Sequence, residues 1–379
     1  MAAAEAARRQ KHPKPAHMSG SSRGAQRSPK KKKNVWSWLN TVFSALITLG
    51  VVGLAIILAF VAESTRGGPN ETEGAIVVAP RGASVTSIGR ILEEEGHIRS
   101  ALVFRVATLV YGAGKPLQAG EYEIPARASP RAIIDMMANG RAVLHGITIP
   151  EGRTSAAVIQ ILAESDVLTG DVPAVPPEGS ILPETYSVER GMDRTVLLRR
   201  MMEARDEALR EIWAQRASNL PISTPEEAVI LASIVEKETG VASERPRVAS
   251  VFTNRLRRGM PMQSDPTIIY GVCRMFPDRC RDGRLINERT GAVRTIRQSE
   301  IALDTGYNTY RIPRLPPTAI ANPGRDALEA VVNPPRTNDL FFVADGTGGH
   351  AFASTVAEHE RNVRRWREIE RGLLAAERP

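Results

Sequence analysis

Two carboxylates, Glu236 and Glu238, stand at the end of an apolar run, Ala228–Val235, in the stretch Thr224–Gly240. Thr224 is suited to cap a helix, Pro225 to its first turn, and Glu227, three residues after the cap, to complete a capping box. Gly240 is expected to stop the helix in the left-handed conformation that glycine accepts. At helical spacing Glu238 shares a face with Leu231, Ile234 and Val235, and Glu236 shares one with Val229 and Ala232. The run is apolar nearly all round, so the helix should be buried. Burial and the negative end of the helix dipole both disfavour an ionised carboxyl, which predicts a raised pKa for at least one of the pair. That is the state a general acid needs near neutral pH.

Polar clusters follow on expected loops: Gln263-Ser264-Asp265-Pro266-Thr267, Tyr307-Asn308-Thr309-Tyr310, Asn322-Pro323-Gly324 and Gly348-Gly349-His350. Converging amide, hydroxyl and aromatic groups suit sugars. Each alone also reads as turn chemistry, Asp265 as a helix cap and His350 as a structural histidine. Signatures of other chemistries are missing: no Gly-rich phosphate loop, no Gly-x-Ser-x-Gly and no His-Glu-x-x-His. Cys273 and Cys280 lack a histidine pair at zinc-ligand spacing. In an oxidising compartment a disulfide would close their loop; otherwise they are two free thiols.

The net charge of +8 over 379 residues suggests a nucleic-acid partner until it is located. Residues 1–35 hold ten Lys/Arg against one acid, leaving 40 of the 50 bases and 41 of the 42 acids elsewhere. The rest is therefore neutral and offers no nucleic-acid groove. The basic segment reads as disordered. After Lys33 come Trp36, Trp38 and the uncharged stretch Val42–Ala62. At about 1.5 Å per residue that stretch reaches roughly 31 Å, enough to cross a bilayer. Lysines before it and tryptophans at its edge predict a cytoplasmic N-terminus, a single span over 36–63, and everything after Glu63 outside the cytoplasm. The run is too long for a cleaved signal peptide.

Beyond a polar linker, residues 64–149 read as strand, helix, helix, strand, helix, strand. The expected elements include a strand at Ile76–Val78, helices at Val85–Glu95, Ser100–Tyr111 and Pro130–Ala138, and a strand near Val143–Ile149. Residues 150–379 begin with a helix over Ser155–Glu164. They continue with helices over Arg194–Gln215 and Arg245–Arg258, an expected core strand at Leu340–Ala344 and a last helix over Val356–Leu374. The fold class is α+β.

The motifs LASIVEKET (Leu231–Thr239), Gln263–Gly271, Tyr307–Tyr310, Leu315-Pro-Pro317 and Gly348–Phe352, with Arg245–Leu256 between them, closely resemble the endolytic murein transglycosylases of the MltG/YceG type. The likeness runs in order over roughly residues 40–370. Arg314 and Thr318 stand where that family usually carries glycine around Leu-Pro-Pro, and the Cys273–Cys280 insert is unusual.

The resemblance implies a membrane span, a small LysM-like glycan-binding module over 64–149 and a catalytic domain over 150–379. It also implies cleavage of the MurNAc-β-1,4-GlcNAc bond without water, leaving 1,6-anhydroMurNAc ends on peptidoglycan at the outer face of a bacterial inner membrane. The protein would act without a cofactor as a terminator of glycan polymerisation beside cell-wall synthetic enzymes. Glu238, followed by Thr239 as in many lytic transglycosylases, is the expected acid, with Glu236 as the competing choice. Gln263, Ser264, Asp265, Tyr307, Asn308, Tyr310, Asn322 and His350 are expected to bind or support glycan. Two other readings compete. One is a non-catalytic membrane-anchored glycan-binding scaffold. The other is a pyridoxal-phosphate-dependent aminodeoxychorismate lyase, which the span opposes because that chemistry is cytoplasmic.

Overall fold

A computed structural model describes residues 35–376, and the basic segment expected to be disordered lies, but for Val35, outside them. Within the described residues, those up to Glu63 and those from Ser64 onward form separate units. The first unit is dominated by a 31-residue helix, Val35–Thr65, the one helix among the described residues long and apolar enough to cross a membrane. It starts earlier than the apolar run alone predicts and takes in both tryptophans. The hydroxyls of Thr41 and Thr48 donate to the carbonyls four residues back, so they stay satisfied without water.

The second unit starts with strand Ala75–Ala79, helices Val85–Glu94 and Ala101–Tyr111, and strand Gly120–Ile124. The two strands pair antiparallel, with Val77 opposite Tyr122. Side chains alternate, so Val77, Ala79, Tyr122 and Ile124 face inward and are buried, as are Leu92, Phe104, Ile133 and Met137 of the helices. Serines cap these two helices and the following helix Pro130–Ala138: Ser84, Ser100 and Ser129 each accept from a backbone N–H three residues on.

Two further cores build the larger part. Strand Leu144–Thr148 pairs antiparallel with Thr185–Glu189, and helices Ser155–Glu164 and Arg194–Ala214 cover it through Val158, Leu162, Leu197 and Met201. The other core surrounds helix Pro225–Glu238, whose Leu231, Ala232, Ile234 and Val235 are fully buried. Helices Arg245–Arg257 and Arg325–Val332 pack on it. Burying four such side chains contributes several kcal/mol, on the order of 2 kcal/mol each for the larger ones.

The capping box forms with one change: Thr224 accepts from the Glu227 N–H, while the Glu227 carboxylate reaches back to Ser223 N–H. Gly240 does not stop the helix in a left-handed conformation. Thr239 leaves it in extended backbone (φ −135°, ψ 131°), and its hydroxyl accepts from Val241 N–H at 3.0 Å. A threonine side chain that offers the backbone a turn ends the helix without glycine's conformational freedom.

Strand Phe341–Ala344, expected in the core, is half-buried along its length. Among the described residues it pairs only with His350–Ala353, so both edges of this hairpin lack another described strand. Cys273, near the end of helix Asp265–Met275, is disulfide-bonded to Cys280, which opens the small hairpin Cys280–Arg281/Arg284–Leu285. A crosslink closing so short a loop is worth about 2 kcal/mol through the unfolded state. Cys273→Ser/Cys280→Ser is therefore expected to unfold in urea with about that much less stability. An unchanged midpoint would contradict this.

Candidate active site

Glu238 is the last residue of its helix and is partly exposed there, with its carboxyl turned into a protein environment that raises its proton affinity. Oε1 accepts a hydrogen bond from Ser264 Oγ at 2.5 Å. Ser264 itself is fully buried and held by its neighbours. Its N–H donates to Thr309 Oγ1 at 2.9 Å, its carbonyl accepts from Thr267 Oγ1 at 2.7 Å, and the two threonine hydroxyls lie 2.9 Å apart. Gln263 N–H donates to the Thr309 carbonyl at 3.1 Å. The Gln263–Thr267 and Tyr307–Tyr310 loops are thereby joined beside Glu238.

Arg255 fixes the same region from behind. Its guanidinium donates to the carbonyls of Leu340 and Met262, each at 2.7 Å, and to Gln263 Oε1 at 3.3 Å. Gln263 takes a left-handed backbone, φ 52°, uncommon outside glycine and frequent where structure holds a functional loop in place. Tyr310 donates its hydroxyl to Asp265 Oδ1 at 2.8 Å.

These surroundings set the proton affinity of Glu238. Burial is the largest influence and raises its pKa. The Ser264 hydroxyl lowers it, the Asp265 charge raises it, and the Arg255 charge lowers it; the result is about 7, against an ordinary 4.5. Ser264→Ala removes a donor that favours the charged carboxylate. The Glu238 pKa is expected to climb above that of the wild type, by NMR titration of labelled glutamate side chains. A fall would contradict the assignment of the bond.

Glu236 lies in a different setting. Its side chain is 4% exposed, with Oε1 accepting from Arg245 Nη2 at 2.9 Å and Oε2 from Gly324 N–H at 3.0 Å. Arg245 also donates to Glu151 at 2.6 Å. Burial pushes the Glu236 pKa up, while the Gly324 N–H pulls it down. Both oxygens are engaged inside the protein.

The remaining expected site residues divide by exposure. Gln263, Asp265 and Tyr310 are exposed at the rim around Glu238. Asn308 is fully buried, its amide donating to the carbonyls of Ile301 and Leu303 and its oxygen accepting from Tyr310 N–H. Tyr307 is buried, bonded to the Thr318 hydroxyl at 2.8 Å and edge-on to Tyr270. Asn322 is fully buried and holds Ile181 N–H, the Arg153 carbonyl and Ser155 Oγ. His350 bonds to Glu244 through Nδ1 at 2.7 Å and through its N–H at 2.8 Å, and the Thr239 hydroxyl donates to that same carboxylate at 3.2 Å. Burial pushes Glu244 upward, but the bonds from His350 outweigh it and hold the carboxyl below its ordinary range. His350 thus braces the residue next to Glu238.

Sequence reasoning named Thr267 and Thr309 within the polar clusters but gave them no site role, and it did not single out Arg255 or Glu244. Arg255 had a legible signal, since it falls on the apolar stripe of Val248, Val251 and Phe252. An arginine on a buried face needs partners. Glu244 had none.

A sequence profile of the YceG-like family matches residues 77–365. The chain belongs to the YceG-like family. Its relatives include proteins named endolytic murein transglycosylase from Streptococcus pneumoniae serotype 2 (strain D39 / NCTC 7466) and Bacillus subtilis (strain 168). The first is 27% identical over 342 residues, covering 78% of this chain and 58% of the relative. The second is 26% identical over 313 residues, covering 74% and 82%. The chain therefore spans about 58% of the length of the pneumococcal relative. A crystal structure of a yceG-like protein from Listeria monocytogenes is 25% identical, covers 76% of this chain and 98% of its own, and superposes with a TM-score of 0.44.

Proposed function

We propose that this chain is a membrane-anchored endolytic transglycosylase that cuts the MurNAc-β-1,4-GlcNAc bond inside peptidoglycan strands and leaves 1,6-anhydroMurNAc ends. The observation that carries the reading is Glu238, a partly exposed glutamate at a helix end with a pKa near 7, bonded to a buried serine, in a chain whose relatives bear that enzyme name. Protonated Glu238 donates to the glycosidic oxygen as the bond to C1 breaks, and the GlcNAc O4 leaves as an alcohol. Positive charge develops at C1 of the muramic residue. The Glu238 carboxylate then takes the C6 hydroxyl proton as O6 bonds to C1. The proton on Glu238 is restored, and no water is consumed.

Ordinary glycosidases need a second carboxyl to activate water or to attack the sugar. A tethered C6 hydroxyl removes that need, because well-oriented intramolecular attack reaches effective molarities on the order of 10⁵ M. Gln263, Asp265 and Tyr310 supply rim contacts to sugar, while Ser264, Tyr307, Asn308, Asn322 and His350 act by positioning.

The strand-helix-helix-strand unit over 75–124 supports a LysM-like role in holding glycan. The apolar helix supports a single-pass anchor, with its N-terminus in the cytoplasm and the bulk outside. The disulfide fits an oxidising compartment. A cutter held beside nascent strands would end their polymerisation and work next to synthetic enzymes.

Cleavage of purified strands by the full chain in ¹⁸O-labelled water tests the reading. Anhydro ends without label are expected by mass spectrometry. Labelled reducing ends would instead make the protein a hydrolase. No cleavage would leave the scaffold reading.

A further inference from the structure

Near the end of the Glu238 helix lies a cavity of about 200 Å³ lined by Lys237, Pro266, Tyr270, Asp282, Arg284 and Arg294. Lys237 and Pro266 are the chain neighbours of Glu238 and Asp265, so the cavity adjoins the candidate active site. Arg294 is committed to Glu300, which it grips with two bonds of 2.9 and 2.6 Å. Lys237 donates only to the Gly152 carbonyl, at 3.3 Å, and neither it, Arg284 nor nearby Arg153 forms an ion pair among the described residues. Burial, Arg284 and Arg153 push the Lys237 pKa down, and Glu236 pushes it up. Lys237 and Arg284 are exposed, so water screens part of their repulsion, and an anion bound between them would relieve the rest. Asp282 is exposed on the hairpin turn at φ 52° and pairs with none of them.

The wall that brings Arg284 is prebuilt. The Cys273–Cys280 disulfide closes the loop just before its hairpin. The hairpin turn lies so close to Thr154 that a Cβ on Gly283 would come within 3.2 Å of the threonine methyl. A rigid wall loses little freedom when a ligand binds. Tyr270, Pro266, Ile269 and Val293 give the cavity an apolar side beside its cations. That mixture suits a short peptide bearing carboxylates. In peptidoglycan such a peptide hangs from the lactyl group of muramic acid, the sugar whose C1 would sit at Glu238.

We propose that this cavity is a subsite for a carboxylate of the muramic-acid peptide, with Lys237 and Arg284 as its cationic contacts. It rests on the transglycosylase reading for the choice of anion and adds to it a preference for strands whose peptides carry free carboxylates.

Calorimetric titration of the full chain in detergent tests this. The probes are a disaccharide tetrapeptide with free carboxylates and the same molecule with every carboxylate amidated. The free form is expected to bind about tenfold tighter at low salt, as charge-assisted bonds at a partly exposed site allow. That ratio should shrink as salt rises. It should approach one in Arg284→Gln and in Lys237→Gln. Equal affinity of wild type for both probes, or a ratio unmoved by either substitution, overturns the proposal. Discrimination without any anhydro ends from strands would sink the transglycosylase reading and leave the subsite standing. Anhydro ends with no discrimination would sink the subsite alone.

Discussion

Glu238→Gln is expected to lower strand cleavage by about 10³-fold or more, the upper range for loss of a positioned general acid. It is also expected to make the protein more stable at pH 8. The sign follows from the proton balance. The folded-state pKa near 7 lies above the ordinary 4.5, so between those values the folded chain holds a proton that the unfolded chain has lost. Stability therefore falls as pH rises through that window, and the cost is fully present above pH 7. Glutamine keeps the oxygen that accepts from Ser264 and removes the charge, so the gain above pH 7 is on the order of 1 to 3 kcal/mol. Below pH 4.5 the two proteins should unfold alike. In the wild type kcat/KM should decline above pH about 7 as the acid loses its proton. Urea unfolding at pH 4 and pH 8, beside cleavage rates, checks all three statements. Equal stabilities at pH 8 would show that Glu238 is not held in a charge-averse setting.

Glu236→Gln is expected to behave in the opposite way. Its carboxylate is shut between Arg245 and the Gly324 N–H, and Arg245 is buried as well. Removing one member of a buried pair strands part of the other's charge. Glu151 and, at 3.6 Å, Asp326 still face Arg245 and limit the damage. A stability loss of about 2 kcal/mol is expected, with turnover of the folded protein within about tenfold of wild type. Urea unfolding and cleavage assays read both quantities. Abolished turnover with unchanged stability would reverse the roles given to the two glutamates.

The contrast between these carboxylates was half legible in the sequence. Helical spacing put Glu238 on the greasier face. That spacing is silent on the partners that separate the two, because Arg245, Gly324 and Ser264 arrive from other elements. Asn322 shows the same limit: its type and turn context suited sugar binding, but contacts with residues 153–181 use its amide internally. The helices were readable because capping and 3.6-residue periodicity are local, as at Thr224. Gly240 misled because Thr239 offers its own hydroxyl to the backbone. Arg314 illustrates a signal visible only through family resemblance. It has φ 64°, a conformation that favours the glycine usual there, and donates to the Pro221 carbonyl at 2.9 Å.

The most direct measurement is infrared difference titration of the wild type against Glu238→Gln, following the protonated carboxyl C=O band. A band present at pH 6, lost with a midpoint near 7 and missing in the variant, is the predicted result. A Glu238 carboxyl already ionised at pH 5 would leave the proposed reaction without its proton donor.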